Sequence, residues 1–145
     1  MPLHLLKLCV GADSVADLEG WIARRSDEQR RAGQVPEHGH TTRMTPKRAA
    51  ELLDGGSLYW VIRGQVAARQ RLLALRSFTD GDGIGRCHLV LQPDVVAVAG
   101  RPCRPFQGWR YLEAVSAPPD AGRVAPDLAA LPDAVRRELR DLGLI

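Results

Sequence analysis

Apolar residues fill nearly every position from Leu3 to Val10, and Lys7 is the exception. A short run of that kind reads as a strand buried on both faces, ended here by Gly11. The period then changes. Val15, Leu18, Trp21 and Ile22 recur at helical spacing, which predicts a helix from Val15 to Ala32 with those residues inward. Asp13 or Ser14 supplies the N-cap and Gly33 the stop. Arg24, Arg25, Asp27, Glu28, Arg30 and Arg31 cover its outer side. Gln34 to Gly39 reads as a loop, and His40 to Met44 as a short strand.

Thr45-Pro46 predicts a second helix start, with the hydroxyl as cap and proline at the first helical position. Ala49, Ala50, Leu52 and Leu53 form its apolar face, and Asp54-Gly55-Gly56 ends it. Leu58 to Ile62 is aromatic and β-branched, hence a strand. Alternation puts Tyr59 and Val61 on one face and Trp60 and Ile62 on the other. Gly64-Gln65 makes a turn. Ala67 to Phe78 fits either period. The Asp80-Gly81-Asp82-Gly83 turn that follows decides for a strand, joined to Gly85–Leu91 as a hairpin. Val95 to Val98 is a further short strand. Arg101 to Pro105 holds too much proline for a central strand, and Gln107 to Leu112 is the last strand. Ala117 to Pro126 is a loop. Pro132 opens a final helix through Leu142, with Val135, Leu139 and Leu142 on one side. The expected fold is α+β: a mostly antiparallel sheet or small β-barrel flanked by three helices, as a single domain over residues 1–145.

Composition narrows the class. The chain has 145 residues, 45% apolar and 26% charged, which is ordinary for a soluble globular protein able to bury a core unaided. No run approaches the roughly 18 apolar residues of a membrane span. The start of the chain lacks a basic leader, which argues against a signal peptide and for the cytoplasm. Cys9, Cys87 and Cys103 are odd in number and far apart, so reduced thiols are expected rather than disulfides or a zinc knuckle. No phosphate loop, dinucleotide fingerprint or nucleophile elbow occurs, and no cofactor is expected.

Charge and aromatics supply the candidate chemistry. The net charge is +3, and between Thr41 and Glu113 eleven bases face six acids. A basic middle between balanced flanks fits a phosphate-bearing partner, although a genome rich in G and C also favours arginine. Aromatic residues make up only 5% of the chain, and most sit in Ser57–Gly64 and Arg101–Leu112 with arginines beside them. Trp109 and Tyr111, two apart on a strand, share a face. So do Arg69 and Arg71. Guanidinium groups match phosphate oxygens and aromatic rings stack on bases. The candidate nucleic-acid contacts are therefore Arg43, Arg63, Arg69 and Arg71, with Arg104, Trp109, Arg110 and Tyr111. The plain alternative is a solvated sheet face with local ion pairs and core tryptophans.

Weaker constellations are set aside. His38 and His40 have zinc-ligand spacing but no third ligand nearby in sequence, so no metal is expected. Asp80 to Gly83 is a fragment of a calcium loop without its closing glutamate, hence a turn. Thr45, Lys47 and Glu51 hold a hydroxyl, an amine and a carboxylate on one helix. Thr45 serves better as a cap, and Lys47 and Glu51 as an i,i+4 pair.

Several stretches together carry a resemblance. They are Leu5–Gly11, Thr42–Pro46, Glu51–Gly64, Arg69–Arg71, Pro105–Leu112 and the closing Leu139–Ile145. Through them nearly the whole chain resembles a family of short bacterial proteins, found largely in alphaproteobacteria and known only as a domain of unknown function. That resemblance implies no activity, so no functional residue is carried over. The helix ending at Gly56 and the strand Ser57–Gly64 are also similar to the PUA-like superfamily, with its ASCH and EVE domains. This second resemblance implies a small PUA-like barrel with a cleft for RNA or modified bases.

Three functions follow as expectations. The first is a non-enzymatic module binding RNA or a nucleotide-like ligand on an arginine and aromatic surface. The second is a small hydrolase acting on a modified nucleoside, with Lys47, Glu51 or His40 near a cleft. The third is a protein-interaction subunit.

Overall fold

The computed structural model describes residues 2–121. The elements are β1 (His4–Leu8), α1 (Val15–Arg31), β2 (His38–Thr42), α2 (Ala49–Leu53), β3 (Ser57–Ile62), β4 (Gln65–Thr79), β5 (Gly85–Leu91), β6 (Val96–Pro102) and β7 (Trp109–Leu112). A 3-10 turn, Ala114–Ser116, follows. The strands form one mixed sheet in the order β2-β5-β4-β3-β1-β7, with β6 also on β4. Only β1 and β3 run parallel; the other pairs are antiparallel. β4 has 15 residues and carries both β6 and β5 in succession. Register shifts at Val66/Ala68 and Leu72/Ala74 interrupt it, and such bulges bend and twist a strand.

The sheet is not a closed barrel. Its path ends at β2 and β7, and among the described residues no strand pairing joins them. The two edges meet through side chains instead. The Trp109 indole N–H donates to the Met44 carbonyl at 2.8 Å. The Tyr111 hydroxyl oxygen accepts from the backbone N–H groups of Lys47 and Arg48 at 3.0 and 3.2 Å. The chain after β2 is thereby tied to the far edge strand.

The same contacts correct the second helix. It begins at Ala49, not at Pro46, and Arg48 stands at its N-cap without a side-chain bond. Tyr111 already holds the backbone N–H groups just before it, and the Thr45 hydroxyl is engaged with Ser77 at 3.1 Å. The final helix expected from Pro132 to Leu142 lies outside the described residues, among which there are two α-helices.

α1 forms as its pattern requires. The Ser14 side chain accepts from Asp17 N at 3.1 Å, and Leu18 and Ile22 are buried. Trp21, expected inward, lies at the helix margin and is 39% exposed. The core has two parts, one on each side of β3. Leu58, Trp60 and Ile62 join Leu5, Leu18, Ile22, Leu52 and Leu89 on one face. Tyr59 and Val61 join Val66, Val98 and Phe106 on the other. Leu5 and Leu58 are fully buried, each stabilising the fold by about 1.5–3 kcal/mol relative to exposure. Gly56 links α2 to β3 where a Cβ would lie 2.2 Å from the Leu3 carbonyl oxygen and 2.3 Å from that of Leu52. Only glycine permits that approach.

Candidate functional site: a polar cavity between α1 and β2

A cavity of about 590 Å³ opens between the second half of α1 and the edge of the sheet. α1 contributes Arg25 and Gln29, the loop contributes Gln34, Val35 and Glu37, β2 contributes Gly39, His40 and Thr41, and β5 contributes His88. Gln29 fixes one boundary. Its amide N–H donates to the Glu37 carbonyl and its Oε1 accepts from Glu37 N, both at 3.0 Å. The spacing Arg25 and Gln29 is i,i+4, so both project from one flank of the helix.

Strand register builds the opposite wall. Thr41 pairs with His88 and His88 with Arg76, forming one row across β2, β5 and β4. Thr41 Oγ1 and His88 Nδ1 are 3.2 Å apart. The Glu37 carboxylate takes Arg76 at 2.7 Å and lies 3.8 Å from His88 Nε2. Gly39 makes room for that imidazole: a Cβ there would lie 2.4 Å from His88 Nε2 and 2.7 Å from the Leu89 carbonyl oxygen.

Behind this wall the basic side chains continue inward. The ring of His40 meets Trp60 edge-on, with centroids 5.6 Å apart. Burial, and then the charge of Lys7, push His40 down to about 4, and His38 and His88 add to the effect. His38 is lowered by burial and then by Arg25, with a Gln70 hydrogen bond working against the shift. Its Nδ1 is buried without a hydrogen-bond partner among the described residues. Lys7 pairs in register with Trp60 on one side and Trp109 on the other. Burial lowers its ammonium, and among the described residues no carboxylate forms an ion pair with it. A partly buried ammonium without a counter-charge, near the exposed guanidinium of Arg25 on the lining, favours binding of an anion with several acceptor oxygens, and phosphate fits that description.

The eight residues singled out in the sequence do not gather. Arg69 and Arg71 share a face of β4, as their spacing requires. Arg69 is held by Asp120 in a bidentate pair at 2.7 and 2.8 Å and also donates to Ser57 Oγ. Arg71 is exposed. Arg110 lies on that same face through the register Arg110–Leu6–Tyr59–Arg69, with its guanidinium 4.4 Å from the Phe106 ring centroid. Trp109 and Tyr111 lie on the opposite face, edge-to-face with centroids 4.9 Å apart. The sheet thus separates these arginines from these aromatics. Arg43 and Arg104 are exposed in the chain beyond β2 and β6. Arg63 has φ 51° in the β3–β4 turn and approaches Asp13 at 3.8 Å. Tyr59 and Trp60 are both core, 4% exposed.

Glu51 pairs with Arg48 rather than Lys47. Among the described residues no hydrogen bond or ion pair joins His40, Lys47 and Glu51. His38 and His40 gain no third ligand there either. Arg25 and Gln29 escaped sequence reading because an i,i+4 polar pair on an exposed helix flank has no distinguishing signal. Lys7 did carry one, as a lone charge in an apolar strand of a chain with two lysines.

A family model described as "Protein of unknown function (DUF1489)" matches residues 5–145. The chain belongs to this family. No curated protein and no solved structure matches it. In this DUF1489 chain no helix among the described residues is long and apolar enough to cross a membrane.

Proposed function

We propose that the protein is a binding module for RNA or a nucleotide-like ligand, acting in the cytoplasm of a bacterium of alphaproteobacterial type. One observation carries this reading. Arg25, His40 and His88 line a nucleotide-sized cavity, His38 and Lys7 lie close enough to His40 to act on its charge, and the cavity's one carboxylate, Glu37, is already engaged by Arg76. Pockets of 300–1,000 Å³ are typical of small-ligand sites. The resemblance of Ser57–Gly64 to PUA-like domains, which bind RNA or modified bases, points the same way.

The test is a titration with short single-stranded RNA, followed by tryptophan fluorescence at two salt concentrations. Trp60 touches His40, so occupancy near that ring alters its emission. Binding that weakens with salt supports the reading. No binding at low salt removes it and favours a protein partner instead.

A further inference from the structure

We infer that the cavity seats a terminal phosphate monoester, at the end of an RNA or on a free nucleotide, in preference to an internal phosphodiester. The inference rests on the binding function proposed above and names the group recognised. Three observations on the cavity carry it.

The first is size. A volume of about 590 Å³ suits one nucleotide. Grooves that follow a running strand serve several nucleotides at once, about 4–16 per small barrel domain. The second is shape. The double hydrogen bond between Gln29 and Glu37 straps α1 to the chain entering β2 and closes one side of the cavity.

The third is charge. Arg25 is a permanent cation on the lining, and Lys7, without an ion-pair partner among the described residues, lies close enough to the lining His40 to act on its charge. His38 and His40 are lowered by burial first, and then by Arg25 and Lys7 respectively. His88 and Thr41 present further polar atoms from β5 and β2. Glu37 and Arg76 cancel one another at the rim. A diester brings a single negative charge, which Arg25 alone balances. A monoester brings close to two at neutral pH and three terminal oxygens. Its extra oxygens meet further polar partners on the lining, the His88 imidazole and the Thr41 hydroxyl.

The experiment is calorimetric titration of the whole chain with adenosine 5′-monophosphate, adenosine, and the dinucleoside monophosphate ApA. An RNA oligonucleotide with and without a 5′-phosphate is titrated in parallel. The inference expects the monophosphate to bind at least about tenfold tighter than ApA, with adenosine weaker still. A gain on adding the 5′-phosphate to RNA identifies a strand end as the source; a gain confined to the mononucleotide identifies a free nucleotide. Arg25→Ala lowers the monophosphate affinity about tenfold with unchanged circular dichroism. Should that variant misfold, Arg25→Gln serves in its place. Equal affinity for ApA and the monophosphate overturns the monoester preference and leaves RNA binding standing. Failure of every ligand, RNA included, overturns both.

Discussion

Arg69 and Asp120 face each other through two parallel hydrogen bonds, 2.7 and 2.8 Å long, with both side chains largely shielded from water. The pair clamps the chain beyond the 3-10 turn onto the second core. The backbone beside it does the same, through Ala99 N and the Pro119 carbonyl at 2.8 Å. Removing one partner strands the other charge. Asp120→Ala is expected to lower stability by about 1–3 kcal/mol, read as a shift in urea midpoint. A double cycle with Arg69→Ala reports the coupling. A midpoint unchanged by Asp120→Ala contradicts the clamp.

Gln70 is fully buried and bridges two parts of the first core. Its Oε1 accepts from the Trp60 indole at 2.8 Å and its amide N–H donates to the Gln92 carbonyl at 2.8 Å. Gln70→Leu keeps the volume and leaves both groups unpaired, at about 1–3 kcal/mol for each. Thermal unfolding of the variant should drop accordingly. Full retention of stability shows that water replaces the side chain.

Histidine burial sets the acid limb. His40 is pushed down to about 4 by burial and by Lys7, and His4 and His38 are lowered in the same direction. A depressed histidine binds fewer protons folded than unfolded. Stability is therefore complete above the ordinary histidine range near 6.5 and is lost as pH falls from there towards 4. His40→Gln should flatten that part of the stability–pH curve. A parallel curve for the variant places the titration elsewhere.

How much of this was legible follows from what each element depends on. β1, α1 and β3 depend on their own periodicity, so the pattern found them. The Asp80–Gly83 turn was equally plain, since Asp80 Oδ1 accepts from Asp82 N and Ile84 N within the turn itself. The start of α2 was not legible. Pro46 and Thr45 make a good local start, but Tyr111, more than sixty residues away, holds the N–H groups that a local cap would serve. The barrel expectation failed for a related reason. Edge closure here runs through Trp109 and Tyr111 side chains, which strand patterns do not encode. The arginine and aromatic cluster was adjacency in sequence, and alternation across a strand undoes it: Arg110 points away from Trp109 and Tyr111.

Gly39 tests the wall of the cavity. A Cβ at this position meets the His88 ring and the Leu89 carbonyl, so Gly39→Ala displaces His88 or parts β2 from β5. The expected cost is about 1–3 kcal/mol of stability, with weaker RNA binding at temperatures where the fold persists. Unchanged stability and binding together rule out a positional role for Gly39.

Under the proposed function phosphate binds between α1 and β2 and not on the arginine face of β4. The decisive comparison is Arg25→Ala against Arg71→Ala in the same RNA titration. Both residues are arginines without an ion pair among the described residues, so each variant removes one cation. The expected result is about a tenfold loss of affinity for Arg25→Ala and no more than about threefold for Arg71→Ala. The reverse order contradicts it and returns the binding surface to β4.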